Sequence, residues 1–176
     1  MCRTLCVVIT MAIAATLLTG CETAPKSQSD KDAMASEVQA TITKFQKTDP
    51  GLKQFFENAH GFVVFPSVGK GAVGFGGAYG KGQVFEQGKM IGWCDLSQAT
   101  IGFQLGGQAY SEVIFFQAKE SLTRFTSGEF AFAAQASAVA ATAGASADVA
   151  YKNGVAVFTQ AKGGLMYEAS IGGQKF

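Results

Sequence analysis

The sequence predicts an α+β fold, in which two N-terminal helices and one short helix pack on a glycine-rich antiparallel β-sheet that is strongly curled or closed into a small barrel. Three observations support this prediction. Apolar residues recur at three- and four-residue spacing before residue 60. Bulky apolar residues alternate with glycines through residues 61–82, which is typical of strands that bend sharply. Short apolar runs separated by glycine-containing turns follow to the C-terminus.

The first 21 residues have the pattern of a bacterial export signal. Arg3 precedes an apolar run over residues 5–18, and small residues follow that run. The tetrapeptide LTGC, which ends at Cys21, resembles the lipobox of lipoproteins and implies a lipoprotein signal peptide over residues 1–20 with palmitate or another acyl chain on the cysteine. Because Glu22 rather than Asp follows, the resemblance implies anchoring to the outer membrane. The periplasmic side is favoured over the cell surface. The alternative is an ordinary secretory signal in which the cysteine is incidental.

The chain after the signal divides into a tether and one domain. Residues 21–32 are polar and lack an apolar period, so they predict a flexible tether between the lipid and the domain. Residues 33–176 predict a single domain, because 48% of the whole chain is hydrophobic and only 15% is charged.

Two helices are predicted at the start of this domain. An apolar stripe predicts the first, which ends near Lys47 and has Ser29 or Asp30 as its N-cap. The stripe comprises Met34, Val38, Ile42 and Phe45. Asp49 and Pro50 suit the start of the second helix, because the carboxylate can accept from free backbone N–H groups and proline has no N–H to satisfy.

The remainder of the chain predicts a meander of short strands with one helix. Val73, Phe75 and Tyr79 fall on one face of a strand, and small residues fall on the other. Residues 118–128 predict a short helix, and residues 130–140 favour a strand with a helix as the alternative. Turns are predicted at residues 80–82, 87–89, 153–154 and 162–164.

Charge and composition argue against several functional classes. Removal of the signal takes away Arg3 and leaves 13 basic against 13 acidic residues, which is unlike a nucleic-acid-binding domain. Cys94 is the sole cysteine beyond Cys21, so no internal disulfide is expected, and we interpret it as a small buried side chain. The sole histidine, His60, is interpreted as a surface or helix-capping residue. We therefore expect no enzyme, no metal site and no cofactor.

One glycine-rich motif and three lysines are candidates for phosphate binding. The segment GKGAVG at residues 69–74 matches the dinucleotide pattern G-x-G-x-x-G, but its last glycine leads into a predicted strand instead of the required helix. A flexible ammonium beside free backbone N–H groups can hold a phosphate, so lysines near glycine-rich turns are candidates for lipid or phosphate binding. They are Lys70, Lys81 and Lys89. The alternative is that these lysines serve solubility.

From about Asp49 to the C-terminus the chain resembles the SYLF family, lipid-binding domains known from actin-patch proteins of yeast and animals and found in bacterial secreted proteins and lipoproteins. The matching segments are GFVVFPSVGKGAVGFGGAYGKGQV, IGFQLGGQAYSEVIFF, KESLTRFTSGEF with AFAAQASAVAA, and FTQAKGGLMYEASIGG. The resemblance implies a phospholipid-binding or adaptor module. It also implies that eukaryotic members bind acidic phosphoinositides through a basic amphipathic N-terminal helix. Here the first helix has mixed charge, so phosphoinositide specificity and actin binding are not carried over.

These observations predict a non-catalytic outer-membrane lipoprotein. Its SYLF-like domain is expected in the periplasm, where it binds phospholipid or envelope components. The alternative is a structural or protein-interaction lipoprotein that has no small-molecule ligand.

Overall fold

The computed structural model describes residues 24–128, 131–132 and 138–175. Within these residues the predicted α+β class is confirmed. The elements in chain order are α1 (Gln28–Thr48), α2 (Leu52–Asn58), β1 (Gly61–Glu86), β2 (Lys89–Phe116), α3 (Lys119–Thr126), β3 (Ala131–Phe132), β4 (Ala138–Ala140), a 3-10 turn (Ala145–Asp148) and β5 (Val155–Lys175).

The strands form one sheet of order β1-β2-β5-β3, and β4 also pairs with β5. The pairs along this order are antiparallel, whereas β4 runs parallel to β5. Strand β2 pairs with β1 from Gly61↔Phe116 to Glu86↔Lys89, but its pairing with β5 begins only at Ser97. Among the described strands, residues 89–96 of β2 therefore have a partner on one side only.

The long β1–β2 hairpin folds over on itself. A straight strand of 26 residues would span about 86 Å at 3.3 Å per residue. The two ends of β1 nevertheless meet, since the backbone N–H of Gln87 donates to the carbonyl oxygen of His60 at 2.9 Å. The β1–β2 register shifts at three places, between Phe65 and Val68, between Val73 and Phe75, and between Val84 and Phe85. Irregularities of this kind bend a strand locally.

The prediction of a strongly curled sheet or small barrel is not supported. The strand order is an open path from β1 to β3.

Two of the predicted turns are confirmed, and two are wrong. Gln87-Gly88 and Asn153-Gly154 have positive φ at both residues, as a tight hairpin turn requires. Residues 80–82 lie inside β1, and residues 162–164 lie inside β5. In the first of these places Lys81 pairs with Asp95, so the ladder continues through the expected turn.

Two buried clusters lie on opposite faces of the strand segments at residues 62–68, 113–116 and 155–158. On one face, the first half of the hairpin packs against its folded-over second half and against α3. This cluster includes Val63, Phe65, Val84, Leu96, Ile114, Phe116, Leu122 and Phe125. On the other face, α1 and α2 cover the sheet. That cluster includes Val38, Phe45, Leu52, Phe62, Val64, Val113, Phe115 and Phe158.

The N-cap of α1 is Ser27, so the prediction of Ser29 or Asp30 at this position is wrong. Ser27 caps α1, since its Oγ accepts from the backbone N–H of Asp30 at 3.1 Å. The helix thus starts at Gln28, within the segment expected as a tether. Asp49 precedes α2 as predicted, and its Oδ1 accepts from the N–H of Gly51 at 3.0 Å. The predicted helix at residues 118–128 is α3, and Gly128 follows it with a φ of +75°.

Candidate functional site

The three candidate lysines do not form a common site at glycine-rich turns. Lys70 lies inside β1 and is only 3% exposed, so its ammonium is poorly placed for a lipid surface. Lys81 and Lys89 are exposed, and only Lys89 lies beside a turn. Asp95 is the cross-strand partner of Lys81, and Glu86 is the cross-strand partner of Lys89. A phosphate at either lysine would therefore approach a nearby carboxylate, which disfavours it.

A more distinctive surface lies in the middle of β1 and β2. Because the hairpin folds over, this middle part forms the end of the folded hairpin that is farthest from the packed ends of β1. Val73 is 79% exposed, Phe75 is 76% exposed and Leu105 is 57% exposed. Val73 and Leu105 are cross-strand partners, and Phe75 lies two residues further along β1. We call these three residues the hairpin-end patch. The sequence placed Val73 and Phe75 on one face, and the structure leaves them open to solvent.

The surroundings of the hairpin-end patch carry no charge in β1 or β2. Residues 71–80 and 96–111 contain no Asp, Glu, Lys or Arg. An apolar surface can enter a lipid environment at low cost only when it does not bring charged groups with it, because an unpaired charge is expensive to desolvate. The patch therefore has the composition of a contact surface for an apolar partner.

A cavity of about 370 Å³ lies between the one-sided edge of β2 and the end of α3. We call it the α3 cavity. Its walls are mainly apolar, and Trp93, Cys94 and Asp95 of β2 lie side by side along it. The lining residues are Val84, Ile91, Gly92, Trp93, Cys94, Asp95, Phe125, Thr126 and Gly128. Its volume is in the range of small-ligand sites.

Cys94 and His60 have the surroundings of structural residues. Burial, together with the nearby charge of Asp95, raises the pKa of the Cys94 thiol far above its ordinary value. A protonated thiol is a poor nucleophile. His60 lies at the start of β1, and its Nε2 is 2.9 Å from Oε1 of Glu86 at the other end of that strand. The histidine thus links the two ends of β1.

The geometry of the described residues can also be compared with that of a dinucleotide site and of a metal site. The segment at residues 69–74 runs entirely within β1, so no helix begins at its last glycine and the dinucleotide geometry is missing. Across residues 24–128, 131–132 and 138–175, no group of three or more His, Cys, Asp or Glu side chains is arranged to hold a metal ion. The helices in these same residues are all too short or too polar to cross a membrane.

The α3 cavity was not predicted from the sequence, because the residues that enclose it are far apart in the chain. One feature of the sequence could have drawn attention to this region. The large side chain of Trp93 and the charged side chain of Asp95 lie at alternate positions of an otherwise apolar run. Cys21 lies outside the described residues, and part of the predicted strand or helix at residues 130–140 does so too.

Residues 97–176 match the family model Ysc84, which is described as "Las17-binding protein actin regulator". The matched residues run from the second half of β2 through α3 and β5. They include all of the segments on which the SYLF resemblance rests except the first. A comparison with curated proteins finds no match.

Proposed function

We propose that the chain, whose residues 97–176 match the Ysc84 (SYLF) family model, is a non-catalytic lipoprotein of the bacterial outer membrane whose domain binds phospholipid. The acylated Cys21 is the anchor in this proposal. The hairpin-end patch is the part of the domain that contacts the bilayer.

The exposure of Val73, Phe75 and Leu105 is the observation that supports lipid contact most strongly. Three large apolar side chains stand in solvent on a part of β1 and β2 that has no charged residue. Complete removal of such a side chain from water is worth about 1.5–3 kcal/mol. Three of them provide a useful local contact, although most of the affinity would come from the lipid anchor.

The short distance between the anchor and the domain also supports this proposal. Six residues separate Cys21 from the first residue of α1. At about 3.5 Å per extended residue they reach roughly 20 Å, so the domain stays next to the bilayer. Such confinement raises the effective concentration of a weak membrane contact.

A protein partner is the second candidate occupant of the hairpin-end patch. Exposed apolar surface on a sheet suits a partner protein as well as a lipid. The family description names a Las17-binding actin regulator, which is a property of that family model. For this chain we give priority to lipid, because the predicted acyl anchor would hold the patch near a bilayer.

The anchor is tested by substitution of its cysteine. Cys21→Ala should abolish incorporation of labelled palmitate and remove the protein from the outer-membrane fraction. Cys94→Ala is the matched control, because the same residue type is lost at a partly buried position outside the predicted lipobox, and it should leave both readouts unchanged. Palmitate incorporation that persists in Cys21→Ala would refute the anchor.

Lipid binding by the domain itself needs a chain without the anchor. We define the unlipidated mature chain as residues 21–176 with Cys21→Ala. It should float with vesicles of phosphatidylethanolamine and phosphatidylglycerol in a density gradient. Failure to float with vesicles of either lipid, separately or mixed, would contradict lipid binding by the domain.

A further inference from the structure

The middle of β1 is an unpaired edge of the sheet. Strand β1 stands first in the order β1-β2-β5-β3, and among the described strands it pairs with β2 alone. The two ends of β1 pack against each other, since Gly82 lies against the carbonyl oxygen of Val64, and this leaves little room for another strand there. At Gly71, in contrast, an added β-carbon would meet nothing within 4 Å. We call residues 71–77 of β1 the free edge.

One face of the free edge is open to solvent. Its alternate residues Gly71, Val73, Phe75 and Gly77 are all exposed. The two glycines put no side chain between the backbone and an approaching strand. A second strand can therefore reach both the backbone groups and the apolar side chains of the free edge.

The free edge lacks the features that usually keep sheet edges apart. Proteins protect such edges with lysine, with other charged residues or with proline. Residues 71–80 contain no charged residue and no proline. The one-sided stretch of β2 at residues 89–96 differs, because it begins with Lys89 and contains Asp95. The sequence therefore protects that stretch of β2 and leaves the middle of β1 open to pairing.

The order of residues in the free edge is self-complementary. Antiparallel pairing of two copies about Gly74 places Val73 of each copy opposite Phe75 of the other, and Gly71 opposite Gly77. Cross-strand pairs of an aromatic and a β-branched residue stabilise a sheet. No like charges come opposite each other, because the segment has none. One two-fold axis relates all of these contacts, so such an assembly closes at two copies.

We propose that two copies of this chain associate through their free edges, which pair antiparallel about a two-fold axis at Gly74. About six to eight backbone hydrogen bonds join the copies, because hydrogen-bonded and non-hydrogen-bonded positions alternate along seven residue pairs. Val73 and Phe75 of both copies lie on one face of the joined sheet, so the two hairpin-end patches stand side by side and stay open. This inference goes beyond the proposed function and does not depend on it.

Cysteine cross-linking tests the proposed register. The starting protein is the unlipidated mature chain with Cys94→Ala, which has no thiol. Gly71→Cys and Gly77→Cys each add one thiol at an exposed glycine whose φ is not positive and beside which a β-carbon has room. Opposite residues of an antiparallel pair have Cα atoms about 4.5–5.5 Å apart, which suits a disulfide.

Each of these two variants is the control for the other. When they are mixed and oxidised with copper phenanthroline, a disulfide-linked dimer that contains one copy of each should form. Either variant alone should cross-link at least tenfold more slowly, because its two thiols would lie six residues apart along the pair, at about 20 Å. Equal rates in the mixture and in the separate variants would overturn the proposal.

Charge substitutions test the association without a covalent bond. Sedimentation equilibrium of the unlipidated mature chain should show a monomer–dimer equilibrium. Gly71→Lys/Gly77→Lys places lysines opposite each other at both positions and should make the chain monomeric. An equal amount of Gly71→Glu/Gly77→Glu should restore the dimer, which also shows that the lysine variant is folded. A parent chain that stays monomeric, or a lysine variant that dimerises as well as the parent, would overturn the proposal.

Failure of this proposal is distinguishable from failure of the proposed function. Both experiments are carried out without lipid, so their results do not depend on vesicle flotation. A chain that floats with vesicles but is monomeric and fails to cross-link would count against edge pairing alone. A chain that dimerises but does not float would support edge pairing and count against lipid binding by the domain.

Discussion

Gly82 lies directly against the carbonyl oxygen of Val64, eighteen positions earlier in the same strand. A β-carbon at Gly82 would stand 2.7 Å from that oxygen and equally close to the ring of Phe65. Gly80 is placed similarly, since its β-carbon would come within 3.0 Å of the Ser67 carbonyl oxygen. These glycines allow the two ends of β1 to come together, which is a different role from the turn that their sequence suggested.

Gly82→Ala should destabilise the fold by about 1–3 kcal/mol, because the new methyl group would overlap backbone that cannot move aside easily. The free energy of unfolding in urea measures this loss. Gly71→Ala is the matched control, since it lies in the same strand and a β-carbon there meets nothing within 4 Å. The control should be neutral or gain up to about 1 kcal/mol. Equal effects of the two substitutions would contradict the close packing of the two ends of β1.

Asp49 should make the stability of the domain sensitive to acid. The residue is buried, which by itself would raise its pKa. Hydrogen bonds from the backbone and side chain of Ser146 and from the N–H groups of Gly51 and Gly144 outweigh burial and hold the pKa below the usual 3.8. Its Oδ2 accepts from the N–H of Ser146 at 2.7 Å.

A lowered pKa in the folded state contributes stability above the unfolded pKa, and this contribution is lost as the pH falls through the folded value. The free energy of unfolding should therefore decline as the pH is lowered from about 5 toward and below 3.8. Asp49→Asn should cost about 1–3 kcal/mol at pH 7 and flatten this decline. Glu57→Gln, at an exposed carboxylate, should do neither. An unchanged acid profile in Asp49→Asn would show that these hydrogen bonds do not matter.

Cys94 should be inert in the folded protein. Its raised pKa keeps the thiol protonated at neutral pH, and the thiolate is the reactive form. In the unlipidated mature chain it is the sole cysteine, so alkylation by iodoacetamide at pH 8 follows this residue alone. We expect slow modification of the native chain and rapid modification in urea. Fast alkylation of the native chain would reopen the possibility of cysteine chemistry.

The parts of the fold that depend on neighbouring residues could be predicted from the sequence. The α1 stripe, the hydrogen bond from the Gly51 N–H to Asp49 and the Asn153-Gly154 turn each depend on residues within a few positions. The role of Gly82 could not be read in this way, since it depends on a contact with Val64 across the fold.

For the candidate surfaces too, the sequence predicts only what depends on neighbouring residues. Alternation in the sequence placed Val73 and Phe75 on one face of a strand, but whether another element covers that face is decided only by the fold. The α3 cavity needed even more information, because residues 93–95 and Phe125 border it together only after the chain has passed through the rest of β2.

Lipid contact by the hairpin-end patch is tested by comparing vesicle flotation of the unlipidated mature chain with that of its Val73→Ser/Phe75→Ser variant. Both residues are exposed, so the variant should keep the stability of the parent chain in urea. Met90→Ser, which removes an exposed apolar side chain outside the hairpin-end patch, is the control and should float normally. We expect the double variant to bind phosphatidylethanolamine and phosphatidylglycerol vesicles at least tenfold more weakly than the parent chain. Equal flotation of a stably folded double variant would contradict it.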